Sequence, residues 1–270
     1  MRKIRKMRIV WMALISILMG VNFTSCSKID DEKAVEKKLL RFTTQNLSTK
    51  TTMTFRYDEN GHLESAQQQI DDGSNTNFSV YKFTWNANSI DVTVTKSADW
   101  IENTTITLEN GLAKEQSEDY LFGEKHTYTY DSSNRLVETY RTYYEMSMEW
   151  EDDKLTYMQN SNFMLGSKQR FEYESSSLAK GYCPLIPHRI GSGILFVAHP
   201  ELGGMRTCQA PVKESVEQTI MGMSFSPYTS VYVCEYDNDG YITKMTETYK
   251  RDDESDAKTF IHTMTWIEAK

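Results

Sequence analysis

Phe55-Arg56-Tyr57-Asp58-Glu59-Asn60-Gly61-His62-Leu63 decides the fold of this chain, because it comes back. It returns as Tyr128-Thr129-Tyr130-Asp131-Ser132-Ser133-Asn134-Arg135-Leu136 and as Cys234-Glu235-Tyr236-Asp237-Asn238-Asp239-Gly240-Tyr241-Ile242. Looser copies are Phe83-Thr84-Trp85-Asn86 leading to Ile90, and Ile106-Thr107-Leu108-Glu109-Asn110-Gly111-Leu112. Two more are Met148-Glu149-Trp150-Glu151 leading to Leu155, and Phe171-Glu172-Tyr173-Glu174 leading to Leu178. Met264-Thr265-Trp266 closes the series as a half copy. Self-similarity of this kind marks one supersecondary unit used many times. The anchors are residues 57, 85, 108, 130, 150, 173, 236 and 266, spaced 20 to 30 apart except for one step of 63.

Each copy reads as a β-hairpin. An alternating strand ends on the anchor. Asp, Asn and Gly then supply a turn, since Gly and Asn tolerate φ > 0 and Asp bonds its own backbone. An apolar residue four to six positions past the anchor begins the return strand. No Pro interrupts residues 51 to 181, as continuous ladders require. The anchor and the residue two before it form one face, as in Phe55/Tyr57, Phe83/Trp85, Ile106/Leu108, Tyr128/Tyr130 and Phe171/Tyr173. The interleaved face carries Arg56, Thr84, Thr107, Thr129, Glu149, Glu172, Glu235 and Thr265. Period-two alternation sends the first set inward and the second outward. Arg and Glu in a lipid-facing band cost several kcal/mol, so the outer face predicts a barrel standing in water.

The fold class expected is all-β, a long antiparallel meander of about 14–16 strands, which must curl because open twisted sheets rarely exceed about 10. Closure into a barrel also removes the exposed edges. A long open sheet is the alternative. The aromatic-x-Tyr-Asp-x-x-Gly-x-Leu hairpins, the chain length and the N-terminal segment described below together resemble a Bacteroidota lipoprotein family of unknown function with a porin-like fold. The resemblance covers residues 45 to 270. The hairpins also resemble the Tyr-Asp repeats of much longer Rhs-type shell proteins. The family implies a fold and brings no activity or catalytic residues.

The N-terminus gives an address. Arg2, Lys3, Arg5, Lys6 and Arg8 precede an apolar run from Ile9 to Met19, the charged and apolar regions of a secretory signal. A membrane span needs about 20 apolar residues. Phe23-Thr24-Ser25-Cys26 resembles the lipobox of bacterial lipoproteins, with Phe23 bulkier than the usual Leu. That likeness implies acylation of Cys26, and several acyl chains at about 0.8 kcal/mol per buried CH₂ hold firmly. Ser27-Lys28-Ile29-Asp30-Asp31-Glu32 resembles an acidic surface-export signal, although acidic runs also serve as solvated tethers. The expected organisation is therefore a signal at 1–25, a lipidated Cys and polar tether at 26–45, and a barrel domain at 46–270. The expected location is the outer membrane, lipid-anchored, at the cell surface. The chain holds 30 basic and 38 acidic residues. Five of the basic and none of the acidic ones fall in 1–25, leaving the mature chain at −13. Nucleic acid, whose binding rests on Lys and Arg, is excluded as a partner. The membrane is met through the anchor.

The 63-residue step holds an insert, 181–213, with four of the five prolines (Pro184, Pro187, Pro200, Pro211) and the apolar run Ile194-Leu195-Phe196-Val197-Ala198. A many-stranded barrel leaves a hollow, and a short apolar helix around Gly193 to His199 would plug or cap it. The alternative is an insert that lines a ligand site. With Cys26 acylated, Cys183, Cys208 and Cys234 remain. Cys183 and Cys208 bracket the insert and are the expected disulfide, with Cys208–Cys234 as the alternative. A Cys234 left free would fit a buried position two before an anchor.

No G-x-S-x-G elbow, H-E-x-x-H, P-loop or dinucleotide fingerprint is present. His188 and His199 lack metal-ligand spacing, so no cofactor or metal is expected. Asp71/Asp72, Asp152/Asp153 and Asp252/Asp253 read as turn charges rather than a glycosidase pair. Trp100, Tyr120 and Phe122, in loops between hairpins, and His199 in the insert, are the candidate ligand-binding residues. The function expected is non-enzymatic binding of a glycan or an envelope protein partner. The alternative is an extracellular hydrolase with a site near the insert.

Overall fold

A computed structural model describes residues 36–97, 100–118, 124–162, 164–174, 180–190, 193–207 and 209–269. Among the described residues seventeen strands form one sheet. The first eight are β1 (Lys37–Gln45), β2 (Lys50–Tyr57), β3 (Leu63–Asp71), β4 (Thr76–Trp85), β5 (Ser89–Ser97), β6 (Trp100–Glu109), β7 (Leu112–Glu118) and β8 (Lys125–Tyr130). Four more precede the insert: β9 (Leu136–Arg141), β10 (Tyr144–Glu151), β11 (Lys154–Asn162) and β12 (Leu165–Glu172). β13 (Lys213–Ile220), β14 (Met223–Ser224), β15 (Tyr228–Tyr236), β16 (Ile242–Arg251) and β17 (Lys258–Glu268) follow it. β14 is a two-residue extension within the β13–β15 connection. The other strands pair antiparallel with their sequence neighbours, and β1 pairs with both β2 and β17. The meander is a closed barrel, with no free edge for another chain to pair with.

The barrel begins earlier than the sequence suggested. β1 lies inside 26–45, the stretch expected as tether, and its Leu39 and Phe42 are buried in the core. Its sequence carries no aromatic-x-Tyr-Asp copy and so escapes a search for the repeat.

The repeat explains the closure. In the three strong copies the Asp after the anchor folds the turn through its own Oδ1. Asp58 accepts the N–H of Asn60 and His62 at 2.9 and 2.8 Å. Asp131 accepts those of Ser133 and Arg135 at 2.8 and 2.9 Å, and Asp237 those of Asp239 and Tyr241 at 3.0 and 2.9 Å. Three residues past the Asp, Gly61, Asn134 and Gly240 hold φ of 82°, 62° and 85°, where a larger side chain would be strained. The register slips at the anchor in five hairpins, between Arg56/Tyr57, Thr107/Leu108, Thr129/Tyr130, Glu149/Trp150 and Glu235/Tyr236. A bulge bends its strand and raises the twist, which curls the meander.

The anchor side chains then join one hairpin to the previous one. Trp85 Nε1 donates to the Leu63 carbonyl at 2.9 Å, and Trp150 Nε1 to Leu136 at 2.6 Å. Tyr173 OH donates to Leu155 at 2.9 Å and Trp266 Nε1 to Ile242 at 2.7 Å. Tyr57 and Tyr130 do the same to Leu39 and Ala113, at 2.8 and 2.5 Å. The acceptors in four of these bonds are the apolar residues that open the preceding return strand. Each half-buried ring thus finds a partner for its one polar atom.

The insert is a plug at the Asp-turn end. It contains α1 (Leu185–Ile190), α2 (Ile194–Ala198) and a 3₁₀ turn (Pro200–Gly203). Leu185, Ile186, Leu195, Phe196, Val197 and Met205 are buried in the barrel core. Leu136 N donates to the Gly204 carbonyl at 3.1 Å, and Cys183 N to Thr207 at 2.9 Å. Tyr182 OH donates to Val197 at 2.7 Å, and its ring meets Trp266 at 5.3 Å. Charged pairs such as Arg56–Glu64, Arg170–Glu217 and Lys244–Glu235 lie exposed on the strands. In a lipid midplane each Arg or Lys would cost about 2–4 kcal/mol.

Candidate functional site

Among the described residues the plug fills the Asp-turn end and leaves a cavity toward the opposite end of the barrel. There the strand register brings five residues into one transverse row. Gln116 stands opposite His126, His126 opposite Arg141, Arg141 opposite Tyr144, and Tyr144 opposite Asn162. All five line a cavity of about 760 Å³. Its floor includes Ile190 and Gly193 of the plug, and its mouth includes Tyr143 and Met164 at two hairpin tips. This size falls in the range of about 300–1,000 Å³ used by small-ligand sites.

Among the described residues lining the cavity, Arg141 is the one ionised side chain. Its Nε donates to Glu124 Oε2 at 3.0 Å, and both side chains are partly exposed. Burial, and then the charge of Arg141, push His126 down to about 4, so the imidazole is neutral near pH 7. Tyr128 OH donates to Gln116 Oε1 at 3.1 Å and lies 3.3 Å from His126 Nδ1. These contacts fix the inner part of the row. Tyr143 sits at φ 64° and is 79 % exposed. A bulky residue in the left-handed region is strained, and the turn thereby presents its ring at the mouth.

A second polar cluster ties the plug to the wall. Arg189 Nη2 donates to both oxygens of Glu247, at 2.7 and 2.8 Å, and to Tyr232 OH at 3.3 Å. Ser230 Oγ donates to Glu247 Oε1 at 2.6 Å, and His262 Nε2 lies 3.0 Å from Oε2. Tyr232 OH donates to Glu214 Oε2 at 2.5 Å, and Arg189 is 3.8 Å from the same oxygen. Burial pushes both carboxyls up. For Glu247 the hydrogen bond from His262, the charge of Arg189 and the Ser230 hydroxyl outweigh it and hold the group at about 2. For Glu214 burial prevails over Arg189 and Tyr232, and the charge of Glu247 adds to it, so the group is raised. The two carboxyls have the divergent ionisation that acid–base chemistry uses. Yet their side chains are 1 % and 3 % exposed, with oxygens occupied by the protein itself. The arrangement is a latch for the plug.

The residues singled out from sequence are not brought together. Trp100 begins β6, 48 % exposed, and donates from Nε1 to Glu102 Oε1 at 2.7 Å. His199 lies in the plug, with Nδ1 2.7 Å from Glu201 Oε1 and its ring against Tyr57 and Trp85 at 5.7 and 5.5 Å. Tyr120, Phe122, Cys26 and Cys208 lie outside the described residues. Cys183 is a buried free thiol, 3.9 Å from Met245 Sδ. Burial and then Cys234 push it up to about 12, which makes it inert as a nucleophile. Cys234 is also free and half-buried. Among the described residues no group of His, Cys, Asp or Glu is placed to hold a metal ion.

Sequence reasoning missed all five residues of the row, Gln116, His126, Arg141, Tyr144 and Asn162. His126 carried a signal, because it lies four before the anchor Tyr130 and so shares the inward phase of Tyr128. Arg141 carried none, since the bulge at its hairpin shifts the return strand by one residue.

No protein-family model and no curated protein matches the chain. Solved structures do. The fold is similar to a porin-like protein from Bacteroides uniformis ATCC 8492, with TM-score 0.62 and 12 % identity over 85 % of this chain and 98 % of that one. It is also similar to a porin-like protein from Bacteroides vulgatus ATCC 8482, with TM-score 0.56 and 11 % identity over 86 % of this chain and 99 % of that one. At these identities the likeness is one of fold.

Proposed function

We propose that this chain is an envelope lipoprotein, acylated at Cys26 and held at the outer membrane, whose barrel captures a small saccharide at its open end without chemistry upon it. The observation that carries the reading is the one-ended barrel. A plug seals the Asp-turn end, while the other end opens on a cavity of about 760 Å³ floored by that plug. The charged outer wall supports attachment through an anchor rather than through the strands. The porin-like neighbours support an envelope location. The tyrosines at the mouth support a saccharide, since a phenol ring offers an apolar face to sugar C–H groups and a polar edge to hydroxyls.

Two experiments test this. Palmitate labelling should mark the wild type and leave Cys26→Ala unlabelled and released from the membrane fraction. A glycan array probed with the purified protein should give a set of binders that Tyr144→Ala abolishes. A blank array would count against saccharide capture. Release of reducing ends from a bound oligosaccharide would favour the hydrolase alternative, for which Glu214 and Glu247 are the residues to change.

A further inference from the structure

We infer that the saccharide taken into the cavity is a neutral oligosaccharide bearing acetamido groups, whose carbonyls accept from the side-chain amides of Gln116 and Asn162. The inference rests on the capture reading above and deepens it. Three observations on the cavity lead to it. The first is which end of each amide the protein already uses. Asn162 Oδ1 accepts the backbone N–H of Met164 and of Leu165, at 2.8 and 2.5 Å. Only the carbonyl end of an amide accepts, so the NH₂ of Asn162 is the end left over. Gln116 Oε1 accepts from Tyr128 OH at 3.1 Å, which leaves its NH₂ as well. Among the described residues neither NH₂ has a protein partner, and Tyr144 OH has none. Gln116 and Tyr144 are half-buried and Asn162 is exposed, so a ligand in the cavity can reach all three. The row thus offers donors, and a ligand fits it by bringing acceptors.

The second is charge. Arg141 is paired with Glu124 at 3.0 Å and has a further contact besides. Burial keeps His126 neutral near pH 7. A ligand carboxylate would meet Glu124 with its countercharge already taken, and an uncompensated charge is costly to desolvate. The acceptor that suits the row is therefore a neutral carbonyl. The third is extent. Gln116 and Asn162 stand four strands apart, and neighbouring strands lie about 4.8 Å apart, so the row runs about 19 Å along the wall. A single sugar reaches one end of it, and a short chain reaches both. Ile190 on the floor and Met164 at the mouth give an acetyl methyl an apolar seat. Tyr143 and Tyr144 supply rings for the apolar face of a sugar. A hydroxyl in place of the acetamido group brings neither the carbonyl nor the methyl.

The test uses full-length protein in a non-glycosidic detergent and oligosaccharides in matched pairs. The N-acetylglucosamine trimer is set against cellotriose, which has the same rings and linkage with a hydroxyl in place of each acetamido group. N-acetyllactosamine is set against lactose, and trigalacturonate against its methyl ester. Affinities come from titration calorimetry. A neutral hydrogen bond is worth about 2- to 12-fold in affinity. With two amide donors engaged, at least one acetamido sugar should bind about fivefold or more tighter than its hydroxyl partner. The galacturonate should bind no tighter than its ester. Asn162→Asp keeps the oxygen that Met164 and Leu165 use and removes the NH₂, and Gln116→Glu does the same beside Tyr128. Each should bring the acetamido preference toward one while the melting temperature stays near that of the wild type. A purely structural amide would leave the preference unchanged in these variants, and that result overturns the inference. The wild-type ratios decide it by themselves if a variant fails to fold. Equal or tighter binding of the hydroxyl partner in both pairs, or tighter binding of the acid, overturns it and leaves capture standing. No binding of any saccharide overturns the capture reading and this inference with it.

Discussion

Arg189→Ala tests whether the latch holds the plug. In the wild type Arg189 neutralises Glu247 at 2.7 Å and lies 3.8 Å from Glu214, and both carboxyls are almost wholly buried. Removing one partner of a buried ion pair costs about 3–5 kcal/mol, because the other charge is left uncompensated. The lower end is expected here. Ser230 and His262 still hydrogen-bond to Glu247, and Glu214, already raised, can take up a proton. For a domain of this size about 3 kcal/mol corresponds to a fall of about 6–12 °C in melting temperature.

The pH dependence separates lost charge from lost packing. Glu247 is held at about 2 in the fold, against about 4.3 in an unfolded chain. A depressed carboxylate stabilises the fold above its unfolded pKa, and that stability drains as pH falls toward the folded value. The variant loses the Arg189 share of this stability. Its deficit should be full at pH 7 and shrink between about pH 4.5 and 2. Urea unfolding followed by tryptophan fluorescence across that range gives the deficit directly. Replacing both residues, as Arg189→Met with Glu247→Gln, should recover much of the loss, since no buried charge remains. A deficit below about 1 kcal/mol, or one equal at pH 7 and pH 3, would refute the latch.

Other outcomes are expected. His126 and His188 are both pushed down to about 4, mainly by burial, against about 6.5 unfolded; stability is therefore lost as pH falls from about 6.5 to 4, and His126→Gln with His188→Gln should flatten this part of the urea-midpoint profile. Gly204→Ala should cost about 1–3 kcal/mol in urea unfolding, because Gly204 sits at φ 59° and a Cβ there would collide with the Asn134 carbonyl; a neutral result would mean that the plug rests loosely on the turn. Iodoacetamide should spare Cys183 in the folded protein and label it in urea without reductant, as read by peptide mass. A need for reductant would instead point to the bridge with Cys208.

The outcome for the fold follows from where the information lies along the chain. The anchor, the Asp that follows it and the Gly or Asn three residues later are local instructions. They fix a hairpin whatever surrounds it, because the Oδ1 bonds and the left-handed φ are made within five residues. Alternation before the anchor is local too, so the incoming strands and their inward rings could be read directly. The apolar run 194–198 announced the plug, since nothing else after residue 26 is so apolar over so short a span.

The return strands are different. The bulge at five of the anchors shifts the phase of the return strand by one, so inward residues there fall three and five past the first apolar residue. Leu136, Thr139 and Arg141 show it, as do Ile242, Met245 and Glu247, with Thr139, Met245 and Glu247 all buried. Simple alternation places Arg141 and Glu247 outside, which hides both the cavity and the latch. The sequence by itself determined an all-β meander of Asp-turn hairpins with an apolar plug. Only the tertiary structure decided that β1 closes the ring, which side chains the plug meets, and which five residues form the row at the open end. Those outcomes depend on register between strands far apart in the chain, and register is set by bulges and closure that no single hairpin contains.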